Sequence, residues 1–215
     1  HKHDSLHAAT PPLEVLRIII SNAAALVRRD GGGRERRKEH MATDVRRADY
    51  YAPAPRAIFI ELPSDDEEAQ EGEVGWLNAC LYGTRDAARE WQETLSKHLE
   101  QLGFTRGRGH LGMCHHRERG VMAFVHGDDY VSSAMSSDLD WLHAELDKQY
   151  ENTSQRTRKE AEVENEASHH NNIVRRTSEG YELEADPRHA ELIVEQLTEK
   201  TARSLSTSGI SGSTE

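Results

Sequence analysis

The segment VMAFVHGDDYVSSA, residues 121–134, constrains the fold more than any other part of the chain. Two apolar runs flank a Gly-Asp dipeptide, which is a strong signal for a β-hairpin. Two adjacent aspartates, Asp128 and Asp129, lie at its turn. Successive side chains on a strand point to opposite faces, so these carboxylates can converge only where the chain turns, and Gly127 permits such a turn. The hairpin is therefore either a solvated tip or half of a metal site.

The rest of the chain mixes helices and short strands without strict βαβ alternation. The clearest helix, residues 85–103, carries an apolar stripe that includes Trp91, which we interpret as a core residue. Further elements are predicted as helices over 10–27, from Ser137 to about 150 and over 187–197, strands over 41–45, 57–63 and 111–116, and a hairpin turning at Glu179-Gly180. This order predicts an α+β fold, a mostly antiparallel sheet with helices packed on one face.

Apolar residues make up 35% of the 215 residues and charged residues 30%. This apolar fraction is low for building a hydrophobic core. A folded centre with disordered flanks is therefore expected. We predict a disordered start at 1–9, a core over 10–150, a disordered linker over 151–168, a hairpin and helix over 169–199, and a disordered tail over 200–215. Residues 28–40 are interpreted as a flexible charged loop.

The net charge of −11 argues against a general nucleic-acid binder, which usually has a basic face. Acidic residues concentrate in 64–73 and 159–167, whereas basic residues concentrate in 28–38 and 106–110. No run of about 18 apolar residues occurs, so no membrane span or membrane partner is expected. The two cysteines form neither a disulfide framework nor a metal spacing, which favours a reducing intracellular compartment, cytoplasmic or nuclear.

A third aspartate would give the hairpin pair a chemical role. Asp44 ends the short strand MATDV, and a third carboxylate from a neighbouring strand would complete a two-metal phosphoryl-transfer site. Hard oxygen ligands of this kind suit Mg²⁺ or Mn²⁺. The alternative is two solvated loop acids and one unrelated acid at the end of a strand.

Four blocks resemble, in order, the reverse transcriptase domain of copia-type LTR retrotransposons: TPPLEVLRIII, DVRRADYYA, LNACLYGTRDAAREWQETLSKHLEQLGFTRG and FVHGDDYV. A fifth, weaker block, NNIVRRTSEGYELEADPRHAELIVEQL, is similar to the family's passage from palm to thumb. The resemblance covers residues 8–198. It implies a polymerase palm with partial fingers and a truncated thumb, and an RNA-directed DNA polymerase activity.

The resemblance also implies the site residues. Asp44, Asp128 and Asp129 match the catalytic carboxylates that bind two Mg²⁺ or Mn²⁺ ions. Nucleotide-binding positions by the same comparison are Val45 (through its backbone), Asp49, Tyr82 and Gly83. The implied partners are an RNA or DNA template-primer, deoxynucleoside triphosphates, and the remainder of a Gag-Pol type polyprotein of a transposable element.

The chain departs from the family pattern close to this site. Asp49 replaces the aromatic residue that blocks a ribose 2′-hydroxyl, so we expect impaired catalysis and weak sugar discrimination. Tyr50 could substitute by a one-residue shift, but strand alternation would point it away. His126 and Gly127 replace the usual Tyr-Val before the aspartates. The chain starts after the family's basic fingers segment, so a palm-centred remnant with little activity alone is expected.

Two non-polymerase functions remain open from the residues. Thirteen histidines, some in the runs HKHDSLH, CHH and SHH, could make a His-rich metal-binding module, with Cys114 and His115 as candidates. No spacing among them matches a closed metal site. A non-catalytic module for protein interaction is the other alternative, and it would be marked by an exposed apolar patch.

Overall fold

A computed structural model describes residues 13–29, 35–63, 65–66, 70, 72–157, 166–169, 172–185 and 187–197. The helices are α1 (Leu13–Ala24), α2 (Ala87–Gln101), α3 (Ser136–Asp147) and α4 (Arg188–Leu197), with a 3₁₀ helix at Ala48–Tyr51. The strands are β1 (Leu26–Arg29), β2 (Glu35–Arg37), β3 (Glu39–Val45), β4 (Phe59–Glu61), β5 (Val74–Trp76), β6 (Thr105–Arg106), β7 (Met113–His116), β8 (Val121–His126), β9 (Asp129–Ala134), β10 (Asn152–Thr157), β11 (Glu166–His169), β12 (Asn172–Arg176) and β13 (Tyr181–Ala185).

A six-stranded antiparallel sheet, in the order β10-β3-β9-β8-β7-β6, forms the centre of the described structure. Smaller antiparallel sheets pair β1 with β2, β4 with β5, and β11 with β12 and β13. The α+β class with antiparallel sheets is therefore confirmed. The predicted hairpin is also present, since β8 and β9 pair directly and leave Gly127 and Asp128 as a two-residue loop.

One face of the central sheet packs against α2 and α3. Both helices bury a leucine-rich stripe there, because apolar residues recur every three or four positions. Fully buried members of this core are Trp91, Leu95, Leu99, Leu139, Leu142 and Leu146, and they meet Met41, Val45, Ala123, Val125 and Tyr130 of the strands. Each buried leucine contributes about 1.5–3 kcal/mol of hydrophobic stabilisation.

The opposite face of the sheet packs against α1. Val15, Leu16, Ile19 and Ile20 of this helix form a second core with Ala42, Phe124 and Val131. The expectation that the helices pack on one face is therefore wrong. The reason is visible in β8, where both alternating sets of side chains are largely apolar, and in β9, where residues of both sets are buried, so both faces of the sheet must be covered.

The predicted disorder over 151–168 is also wrong where the structure describes it. β10 (NTSQRT) pairs with β3 in continuous register from Asn152 to Thr157, and β11 pairs with β12. β10 lacks apolar periodicity because it is an edge strand, held by its backbone ladder more than by buried side chains. Residues 158–165, the predicted disordered start at 1–9 and the tail at 200–215 lie outside the described residues.

Of two other segments, one differs from the sequence prediction and one agrees with it. β2 and the start of β3 lie in the predicted loop 28–40. The C-terminal prediction of a hairpin followed by a helix is confirmed by β12, β13 and α4, with the turn over 177–180. In the described ranges, no helix combines the length and the apolar character that a bilayer crossing requires.

Candidate active site

Asp44 and Asp129 face each other across the centre of the main sheet. Asp44 lies one residue before the end of β3, Asp129 is the first residue of β9, and the antiparallel register pairs the two directly. Directly opposed residues in such a ladder have Cα atoms about 4.5–5.5 Å apart. The register continues to His126 of β8, which pairs with Asp129. The backbone pairing therefore places residue 44 beside the hairpin aspartates.

Asp128 occupies the tip of the hairpin beside this pair. Gly127 has a φ of 56°, the left-handed conformation that glycine adopts without strain. The backbone N–H of Val45 donates to the carbonyl oxygen of Asp128, with 3.1 Å between N and O. The end of β3 is therefore tied to the turn. The same bond engages the Val45 N–H, which the resemblance assigned to the triphosphate.

The pKa values of Asp44 and Asp129 are raised at this edge of the sheet, first by burial and then by neighbouring negative charge. Burial raises the pKa of Asp129 to about 7, and the negative charges of Asp128 and Asp44 add to the effect. Burial, followed by the charge of Asp128, raises the pKa of Asp44, while Arg46 acts in the opposite direction. The three predicted carboxylates therefore lie within electrostatic reach, and their charges are only partly compensated.

Asp49 joins the same group from a different element. It lies in the 3₁₀ helix Ala48–Tyr51, which follows Arg47 in a left-handed conformation with φ 54° and ψ 40°. Burial and the charge of Asp128 raise the pKa of Asp49. The strand alternation invoked for Tyr50 does not apply, because this segment is helical, and Tyr50 is about half exposed. Asp49 is therefore a fourth carboxyl group near the hairpin.

Tyr82 and Gly83 lie in the turn before α2. Gly83 has a φ of 85°, and the Tyr82 side chain is 86% exposed. Among the described residues, no hydrogen bond or ring contact joins Tyr82 to the four aspartates. The structure thus brings Asp44, Asp49, Asp128 and Asp129 together and leaves the two turn residues without a contact to them.

Trp91 makes a contact with the site that the sequence did not predict. Its ring is fully buried, which confirms the interpretation as a core residue. Its indole N–H donates to the carbonyl oxygen of Gly127, with 2.7 Å between Nε1 and O. A buried tryptophan usually finds a partner for its single donor. The sequence therefore indicates that a partner exists, but only the packing of α2 on the sheet identifies it.

The donor chemistry of the acidic group fits a divalent cation. Carboxylate oxygens are the ligands that Mg²⁺ and Mn²⁺ prefer, and a cation would relieve the repulsion that adds to the effect of burial on the pKa values of Asp44, Asp49 and Asp129. Within the described residues, however, no three histidine, cysteine, aspartate or glutamate side chains are already gathered in metal-holding geometry. Cys114 and His115 belong to no such group among the described residues, and burial raises the pKa of the Cys114 thiol to about 11.

Neither the models of known protein families nor the curated proteins contain a match to this chain.

Proposed function

We propose that this chain is a reverse transcriptase domain of the copia type, an RNA-directed DNA polymerase that uses Asp44, Asp128 and Asp129 as its metal-binding carboxylates. The observation that carries the proposal is the direct cross-strand pairing of Asp44 with Asp129 beside the Asp128 turn. The four motif blocks, in their order, supply the polymerase assignment. A palm-like sheet is the fold that this function would use, and α2 and α3 would form its supporting layer.

Each carboxylate would have a separate task. Asp44 and Asp129 would hold Mg²⁺ or Mn²⁺ from two neighbouring strands, and Asp128 would reach the ions from the turn. The bound ions would activate the primer 3′-hydroxyl and neutralise the triphosphate. Because the pKa of Asp129 is about 7, protons would compete with the cation for this carboxylate at and below neutral pH.

Asp49 would weaken the reaction. It adds negative charge next to Asp128, where a triphosphate would approach, and its carboxylate could accept a hydrogen bond from a ribose 2′-hydroxyl. Asp49→Tyr should therefore raise the rate of deoxynucleotide incorporation and lower the ratio of ribonucleotide to deoxynucleotide incorporation. Equal rates and equal sugar selectivity in both proteins would contradict this role.

Cation binding and primer extension test the proposal together. Mn²⁺ affinity, measured by electron paramagnetic resonance, should fall in Asp44→Asn, Asp128→Asn and Asp129→Asn. Asp65→Asn, which removes one exposed aspartate from the acidic loop, controls for loss of net charge. Extension of an RNA-templated primer should require all three aspartates. Mn²⁺ binding that none of the three substitutions weakens would refute the site.

A protein-interaction module is a second candidate, supported by an exposed apolar patch. Phe59, Val74 and Trp76 lie on the β4–β5 hairpin, and each side chain is more than half exposed. Phe59 and Trp76 pair across the strands, with 5.9 Å between ring centroids. If the patch binds a second copy of this chain, sedimentation velocity should detect self-association that Trp76→Ser abolishes and Asp128→Asn leaves unchanged.

A further inference from the structure

We infer that Trp91 is a positioning residue for the acidic site: through its indole N–H, helix α2 holds the Gly127-Asp128 turn where Asp128 can share a cation with Asp44 and Asp129. The inference rests on the proposed function in its cation-binding part. Its geometric part, the attachment of the turn to α2, stands on the structure alone and can be tested without a cation.

Apart from the β8–β9 ladder that flanks it, the Gly127-Asp128 turn has two hydrogen bonds within the described part of the chain, and both are accepted by its backbone carbonyl oxygens. The Gly127 carbonyl accepts from the Trp91 indole N–H, and the Asp128 carbonyl accepts from the Val45 N–H. Among the described residues, the exposed Asp128 side chain donates or accepts no hydrogen bond that would fix its position. The place of the Asp128 carboxylate therefore depends on these two carbonyl contacts, one from the facing strand and one from the helix behind the sheet.

The indole itself has little freedom to move. Trp91 is fully buried, its ring meets Tyr150 edge-on at 5.1 Å between centroids, and it meets Tyr51 at 6.1 Å. The backbone N–H of Glu151 donates to the Tyr51 hydroxyl, which anchors that ring in turn. Because the indole N–H has a fixed position, it also fixes the position of the Gly127 carbonyl oxygen that accepts from it. The turn is therefore held in place relative to α2.

Trp91→Phe removes the donor while keeping an aromatic ring in the core. The Gly127 carbonyl then loses the indole donor, and the turn keeps the hydrogen bond from Val45 and the flanking β8–β9 ladder. Groups that orient metal ligands without touching the metal typically change affinity about 10-fold or more when they are removed. We therefore expect Trp91→Phe to weaken Mn²⁺ binding about 10-fold.

Trp141→Phe is the matched control. Trp141 of α3 packs partly buried against the same core, with its ring against Phe104 and His116, and it has no contact with the hairpin turn among the described residues. Both variants lose one indole from one side of the sheet. A general loss of packing would therefore affect both alike, whereas a positioning role affects Mn²⁺ affinity in Trp91→Phe alone.

The experiment measures Mn²⁺ affinity and amide hydrogen exchange in the full chain and in Trp91→Phe, Trp141→Phe and Asp128→Asn. The expected result is a loss of affinity in Trp91→Phe and not in Trp141→Phe, together with exchange of the Gly127, Asp128 and Asp129 amides that is about 10-fold faster, matching the loss of one hydrogen bond. Unchanged affinity and unchanged exchange in Trp91→Phe would overturn the inference.

Two further readouts separate this inference from the proposed function. If Asp128→Asn binds Mn²⁺ as well as the wild type does, Asp128 is not a ligand of the cation, and the turn amides alone then decide the role of Trp91. If Trp91→Phe does not fold, the wild-type indole resonances decide it. The Trp91 N–H should exchange far more slowly than that of the exposed Trp76, and equal rates would overturn the inference.

Discussion

Asp129→Asn should change the pH dependence of stability in a defined direction. The pKa of Asp129 is about 7 in the folded chain, against an ordinary value of 3.8. Between these two values the folded state binds more protons than the unfolded state, so the free energy of unfolding falls as the pH rises. This loss of stability is absent below pH 4 and complete above pH 7. Asparagine carries no charge, so the variant does not lose stability in this way.

The expected size follows from the difference between the two pKa values. A rise from 3.8 to about 7 corresponds to at most about 4 kcal/mol. Part of the carboxyl group still contacts solvent, which screens its charge, so about 2 kcal/mol is a better expectation. Asp129→Asn should thus gain about 2 kcal/mol relative to the wild type between pH 4 and pH 8.

Urea denaturation of both proteins across this range measures the difference directly. Comparing each protein with itself at pH 4 removes any constant effect of the asparagine. Asp65→Asn should follow the wild-type curve, and saturating Mg²⁺ at pH 8 should stabilise the wild type much more than Asp129→Asn. Parallel curves of unfolding free energy against pH for Asp129→Asn and the wild type would refute the claim that burial and neighbouring carboxylates raise the pKa of Asp129.

Two more substitutions test the backbone and the buried core. Gly127→Ala should lower the free energy of unfolding in urea by about 1 kcal/mol, because φ is 56° at this position although nothing lies within 4 Å of an added Cβ. Gly109→Ala, at an equally open position without a positive φ, should leave stability unchanged. Equal losses of stability at both glycines would contradict the conformational explanation. His40 is fully buried and its pKa is lowered to about 4, so the wild type should lose stability as the pH falls from 6.5 towards 4, by at most about 3 kcal/mol. His40→Met should remove most of that loss in acid denaturation, and an unchanged acid midpoint would contradict it.

Elements with a strong apolar period were predictable from the sequence. The stripe of α2 and the apolar runs of β8 and β9 come from local spacing, and the structure contains these elements within two residues of the predicted bounds. β10 was not predictable in this way. Its residues are polar, and its stability as a strand comes from pairing with β3, which is more than 100 positions away in the chain.

In the candidate site too, local features were predictable from the sequence and contacts between distant residues were not. The adjacent aspartates and the glycine turn are local features, so the hairpin and its acidic tip could be predicted. The hydrogen bond from Trp91 to Gly127 joins residues that are 36 positions apart. The sequence does not indicate which acceptor the indole N–H will find. Asp49 was predicted as a departure from a family pattern, but its electrostatic contact with Asp128 depends on the unpredicted 3₁₀ helix.

The sequence by itself determined the helices and the β8–β9 hairpin, because hydrophobic period and turn chemistry act over a few neighbouring residues. Only the tertiary structure decided that Asp44 faces Asp129, that α1 covers the opposite side of the sheet from α2 and α3, and that α2 holds the hairpin turn. These relations depend on strand register and on side-chain packing between distant segments, and both are settled when the two faces of the sheet are buried together.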